Sequence, residues 1–318
     1  MMTKLSDTTA SWRRSGSAGW VRGAMSELRI GPAGWNYRDW NGIFYPSRRP
    51  RGFSELEYLA EYFDTVEINS SFYGPFSAES AAKWAEEVKG NGRFLFTAKL
   101  WQRFTHLTGA GMDDEKVVRA GFDALQNAGK LGAVLLQFPF SFHNTTENLE
   151  TLRKLIERFR TYPLVLEVRH ASWDKRELYQ FLTERNVGFC NIDQPIIGRS
   201  LKPTAHVTSS VGYVRFHGRR YDTWFSDDPK APPSDRYDYL YPKEELEPWV
   251  ERIGSVAKKS ETVFVITNNH PAAKSLQTGF LLATMFLRKK IKVPETMFER
   301  YPELLELAAE PPKNPKLF

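Results

Sequence analysis

Residues 131–170 read LGAVLLQFPFSFHNTTENLETLRKLIERFRTYPLVLEVRH. An apolar run, Ala133–Phe138, comes first. A helical stripe of Leu149, Leu152, Ile156 and Phe159 follows, with Thr146 as its candidate cap. A second apolar run, Leu164–Arg169, closes the segment. A short strand, an amphipathic helix and another short strand describe two parallel strands joined by a right-handed crossover.

The same alternation extends in both directions. Leu28–Ala33, Thr65–Asn69 and Phe94–Lys99 precede the segment, and Val187–Asp193, Tyr213–His217 and Thr262–Asn268 follow it. Ser54 with Glu57 forms a capping box before Leu56, Leu59 and Phe63. Ser172 is the expected cap of the helix bearing Leu178, Phe181 and Leu182. Pro242 precedes Leu246, Trp249, Val250 and Ile253, and the last stripe is Leu276, Phe280, Ala283 and Leu287. Eight strands separated by helices predict an α/β fold, a (β/α)8 TIM-type barrel over residues 25–290. An open doubly wound sheet would require a glycine-rich phosphate turn after the first strand, and none is there.

Three regions depart from the pattern. Residues 194–211, after the sixth strand, show no clear helix, and the loop Arg219–Tyr241 after the seventh is long. Residues 1–24 read as a polar, disordered tail that contributes nothing to stability, with Met25 as a second plausible start. Residues 291–318, with Pro294, Pro302, Pro311, Pro312 and Pro315, form a C-terminal appendage.

Composition narrows the function classes. The chain has 318 residues, 41% hydrophobic and 26% charged, which is ordinary for a globular protein. It has no apolar run long enough to span a bilayer and no apolar N-terminal stretch of the secretory kind. Cys190 is the single cysteine, so no intrachain disulfide forms, and a cytoplasmic location is expected. The net charge of +6 and the pI near 9.2 permit anionic partners, from phosphorylated metabolites to nucleic acid, without choosing among them.

Barrel enzymes carry their chemistry at the C-terminal strand ends, on side chains of inward parity. Glu67 and Asn69 share one face of the second strand, Glu167 and Arg169 one face of the fifth, and Arg215 and His217 one face of the seventh. Lys99, Gln137 and Asp193 end the third, fourth and sixth strands, and Asn268, Asn269 and His270 end the eighth. Around this ring stand aromatic residues that form either a stacking wall or a plug: Trp35, Tyr37 and Trp40 after the first strand, Tyr73 after the second and Trp101 after the third. Tyr221 and Trp224 are lid candidates.

These residues also carry a family likeness. The segments are Gly34-Trp35 with Trp40 and Phe44-Tyr45-Pro46, Val66–Tyr73, Phe96–Lys99, Thr105-His106, Leu131–Pro139, Glu167–His170 with Ser172-Trp173, Val214–Gly218 and Asn268–His270. In consistent order over residues 28–288, they resemble the YecE-like family, known as domain of unknown function 72. The resemblance implies a TIM-type barrel and no particular reaction. Ala33 stands where the pattern often has Ser, and Thr267 where it often has Phe; neither position belongs to the charged ring.

The ring supports an enzyme working by acid/base chemistry on a small polar anion such as a sugar phosphate or nucleotide. Glu67, Lys99, Glu167, Asp193 and His217 are the catalytic candidates. Trp35, Asn69, Tyr73, Gln137, Arg169, His170, Arg215, Asn268 and Asn269 are the binding candidates, with Arg169 and Arg215 as the anion's main anchors. Glu67, Lys99, Glu167, Arg169, Asp193, Arg215 and His217 are all expected to line one cavity. An alternative places a divalent metal on Glu67, Glu167, Asp193 and His217 in a phosphodiester or sugar enzyme. A third is a non-catalytic binder of nucleic acid or another ligand, although no nucleic-acid motif is present. A Schiff-base enzyme would need a desolvated lysine, and Lys99 is the only strand-end lysine.

Overall fold

The computed structural model describes residues 26–107, 109–225, 232 and 234–310; the tail of residues 1–24 lies outside the described residues. Eight parallel strands form one sheet: β1 (Glu27–Pro32), β2 (Thr65–Ile68), β3 (Leu95–Lys99), β4 (Leu131–Gln137), β5 (Leu164–Glu167), β6 (Gly188–Asp193), β7 (Val211–Phe216) and β8 (Thr262–Thr267). Pairing runs β1-β8-β7-β6-β5-β4-β3-β2. The β1–β2 seam is drawn together by an Ala33–Glu67 bridge and by the Gly34 amide, which donates to the Glu67 carbonyl at 2.8 Å. The result is a (β/α)8 TIM-type barrel.

Glycine makes that seam feasible. A Cβ on Gly31 would lie 1.9 Å from the Thr65 carbonyl oxygen, so only a glycine lets β1 approach β2 this closely. Three residues on, Gly34 turns the chain at φ +81°, where a side chain would also strike Tyr37.

Helices cover the outside: α1 (Glu55–Ala60), α2 (Ala78–Glu87), α3 (Met112–Asn127), α4 (Thr146–Phe159), α5 (Arg176–Glu184), α6 (Lys243–Ala257) and α7 (Lys274–Leu287). Their apolar stripes mostly face the sheet: Leu152, Leu155, Ile156 and Phe159 of α4 are buried, whereas the expected stripe residues Leu149 of α4 and Leu287 of α7, near the helix ends, are exposed. Ser54 caps α1 by accepting from the Glu57 amide at 3.1 Å. The cap of α4 is Thr145, whose hydroxyl accepts from the Asn148 amide, one residue before the expected Thr146. Ser172 caps no helix: it lies in a short 3-10 turn, accepts from the Asn144 amide and holds His170 Nδ1 at 2.8 Å. Two competing partners, one local and one 28 residues away, explain why a serine just before an apolar stripe does not start α5.

No helix joins β6 to β7. Beyond α7, the turns Glu295–Met297 and Pro302–Leu307 bury Met297, Phe298, Tyr301 and Leu304 in the main core. The Tyr301 hydroxyl donates to the Ala272 carbonyl at 2.5 Å. No described helix is long and apolar enough to cross a membrane.

Candidate active site

Strand register decides which side chains enter the barrel. In a parallel sheet, paired residues point the same way. Glu67 pairs with Thr97, Gln137 with Glu167, and Ile192 with Arg215, so Glu67, Gln137, Glu167 and Arg215 all face inward near the C-terminal ends.

Arg215 lies at the centre. Its Nη1 donates to Glu167 Oε2 at 2.6 Å and its Nη2 to Glu67 Oε1 at 2.7 Å, with all three side chains buried. The Tyr213 hydroxyl lies 3.0 Å from Glu67 Oε2 and 2.8 Å from Thr97 Oγ1. Arg169 takes the remaining Glu167 oxygen through Nε at 3.2 Å and Nη2 at 3.1 Å. His217 Nε2 lies 3.2 Å from that same oxygen, off the line of a hydrogen bond. All four glutamate oxygens are thereby engaged. Burial favours the neutral acid at Glu167, but Arg215, His217 and Arg169 outweigh it and hold the carboxyl well below its ordinary range.

The second nitrogen of His217, Nδ1, lies 3.2 Å from Asn268 Nδ2, which fits an amide donating to an imidazole whose hydrogen is on Nε2. Burial, opposed only in part by Glu167, pushes this imidazole down to about 3, so it is uncharged at neutral pH. With both ring nitrogens facing protein groups, His217 holds the cluster together rather than presenting a free base.

Lys99 is the exception. It leaves β3 into the same mouth, fixed at its backbone by the Lys99 amide donating to Ser71 Oγ at 3.0 Å. Its Nζ stands 3.8 Å over the Phe72 ring. The amine forms no ion pair or hydrogen bond with any described residue, while the glutamates near it are taken by the arginines. Burial first, then Arg215, lowers its pKa to about 7, so a large fraction is free amine at neutral pH.

His106 belongs to this corner and was not among the site residues expected from sequence. Its ring meets Phe72 edge-on at 4.9 Å, Nδ1 lies 2.8 Å from Thr105 Oγ1, and Nε2 lies 3.5 Å from the Gln137 amide nitrogen. Burial and then Lys99 lower its pKa to about 4. The Thr105-His106 pair was visible in the sequence, but it lies beyond a 3-10 turn after β3, where strand parity says nothing.

Aromatic rings roof the cluster. Trp224, buried, covers Arg169 at 5.4 Å and His217 at 6.1 Å, and Tyr237 packs on Trp224 at 6.2 Å. Tyr37 stacks on His270 at 4.3 Å, next to Asn69, whose side chain reaches the Tyr37 hydroxyl. Tyr221 is exposed.

Several expected members lie elsewhere. Asp193 pairs in register with Phe216, which faces the helices, so its carboxylate leaves the barrel. It accepts from Trp249 Nε1 at 2.6 Å, from the Tyr241 hydroxyl at 2.7 Å and from Arg219 at 2.9 and 2.6 Å. Trp35 packs on Trp84 of α2 and on Phe96, outside the mouth. Asn269 Nδ2 donates to the Tyr239 carbonyl and the Thr278 hydroxyl, while its Oδ1 has no hydrogen-bond partner among the described residues. His170 sits against His143 and Ser172, and Tyr73 is a largely exposed rim residue.

The metal reading meets a specific obstacle. The Arg215 guanidinium fills the space between Glu67 and Glu167, and Asp193 faces away. Among the described residues no three His, Cys, Asp or Glu side chains converge as a metal site.

A (β/α)8 barrel whose C-terminal mouth holds a buried charged cluster under an aromatic roof is the class defined so far. Residues 29–300 match the family described as protein of unknown function DUF72, and the chain belongs to it. It is 30% identical over 267 residues to the UPF0759 protein YunF of Bacillus subtilis, covering 79% of this chain and 92% of that one. A crystal structure of a DUF72 family protein from Thermotoga maritima aligns with a TM-score of 0.71 at 29% identity, covering 83% of this chain and 100% of the other. A DUF72 family protein from Enterococcus faecalis aligns with a TM-score of 0.70 at 23% identity, covering 83% of this chain and 97% of that one, and supports the fold.

Proposed function

We propose that the chain is an enzyme acting on a small polar anion, with Lys99 as its base and Arg169 as the anchor for the negative group. One observation carries this reading: the cluster pairs its own charges, Glu67 with Arg215 and Glu167 with Arg215 and Arg169, and leaves the Lys99 amine over. A buried ion-pair network adds little stability for its cost, which favours a functional reason for placing one here. A base with a pKa near ambient pH is matched to proton transfer at neutral pH. Arg215 was an expected anchor, but both its η nitrogens are committed, so it serves as the platform beneath the site. Arg169 is less enclosed, with 13% of its side chain exposed. Gln137 and Asn69 add neutral hydrogen-bonding groups suited to hydroxyls.

Calorimetric titration with inorganic phosphate and with sugar phosphates tests this. Binding at millimolar concentration or better is expected, with a loss of about tenfold or more in Arg169→Ala, a charge-assisted contact of 1.5–3 kcal/mol. Absence of binding, or unchanged binding in Arg169→Ala, overturns the anion site.

A further inference from the structure

We infer that Lys99 is a nucleophile that forms a Schiff base with a small carbonyl compound bearing an anionic group. This deepens the reading of the site as an anion-binding acid/base centre, and its anionic part rests on that reading.

Lys99 ends β3 inside the barrel mouth and is only 7% exposed as a residue, so its side chain is largely desolvated at the end of the barrel that carries the site. A lysine serving structure alone is normally matched to a carboxylate, and here two carboxylates stand close by but are claimed by arginines. An aromatic ring under Nζ supports the ammonium without abstracting its proton, so the group can exchange between charged and free forms. A lysine desolvated beside another cation is a standard way of obtaining a nucleophilic amine at neutral pH. With the pKa lowered to about 7, about half of Lys99 is free amine at pH 7. For an ordinary lysine the fraction is on the order of one in 3,000.

The step balances without an external oxidant or reductant. The Nζ lone pair attacks the carbonyl carbon, the C=O π pair moves to oxygen, and a proton from nitrogen reaches that oxygen to give a carbinolamine. One further proton from the medium lets the hydroxyl leave as water while the nitrogen lone pair forms C=N, giving a protonated imine. His106 shares Phe72 with Lys99, but its two ring nitrogens face Thr105 and Gln137, so these protons exchange with the medium. Arg169 holds the substrate's anionic group.

The experiment is reductive trapping on the intact chain. The protein is incubated with pyruvate, glyoxylate or acetaldehyde and sodium cyanoborohydride at pH 6.5–8, digested and mapped by mass spectrometry. One adduct, on the peptide containing Lys99, is expected, with a rate that rises through a midpoint near pH 7. Lys99→Arg should abolish it while circular dichroism shows the variant folded. Arg169→Ala should slow trapping of pyruvate and glyoxylate but not of acetaldehyde. Adducts spread over surface lysines, or none on Lys99 in folded protein, overturn the inference. Phosphate binding that depends on Arg169 without any Lys99 adduct sinks the Schiff base and leaves the anion site standing. Trapping of acetaldehyde at Lys99 without phosphate binding keeps the nucleophile and overturns its anionic substrate.

Discussion

Two buried charged centres sit at neighbouring strand ends, one residue of parity apart. Inside the barrel, Glu67, Glu167, Arg169 and Arg215 neutralise one another beneath a roof of Trp224 and Tyr237. Outside it, Asp193 ties β6 to α6 through Trp249 and to the loop after β7 through Tyr241 and Arg219. The outer centre is complete: its donors converge on one carboxylate, with Trp249 and Tyr241 buried and Arg219 closing it from the loop side. The inner centre is not, because it leaves the Lys99 amine, the Arg215 Nε and one side of Arg169 uncommitted among the described residues. Burial of charge alone therefore does not mark a site. What marks one is buried charge with chemistry left over, facing the barrel mouth.

The contrast can be broken most forcefully at Arg215. Arg215→Met leaves Glu67 with only the Tyr213 hydroxyl and Glu167 with only Arg169 as charged partner, a loss of about 3–5 kcal/mol, so the melting temperature should fall by roughly 10 °C. Adding Glu67→Gln and Glu167→Gln should recover part of that loss. A melting temperature within about 2 °C of the parent would show the inner pairs to be energetically idle.

Lys99 should give the opposite sign. Its free value of 10.5 drops to about 7 in the folded chain, so between those values the unfolded state binds more protons. Stability thus rises as pH climbs from about 7 to 10.5, and the cost of burying the ammonium is felt in full below about 7. Lys99→Met should raise the melting temperature by roughly 6 °C at pH 6, with the gain fading toward pH 10. A destabilised variant at pH 6 would mean that the lysine is held for structure.

Asp193→Asn sharpens the comparison from the other side. Weakening charge-assisted bonds worth about 1.5–3 kcal/mol each should lower the melting temperature by roughly 5 °C. Phosphate affinity should stay unchanged, and a shift in it would join the two centres functionally.

The smallest effect is an acid one. His217 protonates near 6.5 when unfolded and only near 3 when folded, so its contribution is lost as pH falls from 6.5 toward 3. In His217→Gln, the drop in melting temperature between pH 7 and pH 5 should shrink by roughly 3 °C. An unaltered drop would place the acid sensitivity elsewhere, with His106 and His270, both lowered to about 4, next in line.

The eight strands were legible because an apolar run and a 3.6-residue stripe are local patterns that survive in any tertiary context. Glu67, Glu167, Arg169, Arg215 and His217 were legible for a similar reason: period-two spacing within one strand keeps a polar pair on one face. Parity inside a single strand states only which residues share a face, and never which face looks inward. Asp193 fell on the wrong side because the register of β6 against β7, with Ile192 beside Arg215, is set by pairing between strands. His106 was overlooked because a turn after β3, not a strand, carries it to Lys99.

By itself the sequence determined the alternation of elements, the barrel they close into and the strand ends that carry charge, since all three follow from short-range periodicity. Only the tertiary structure decided the bookkeeping of those charges: Arg215 shared between two glutamates from strands far apart in the chain, Asp193 withdrawn to α6, and Lys99 left with an aromatic ring in place of a partner. Ionic pairing acts over a few ångströms between residues as far apart as 148 positions, and such distances exist only once the barrel has closed.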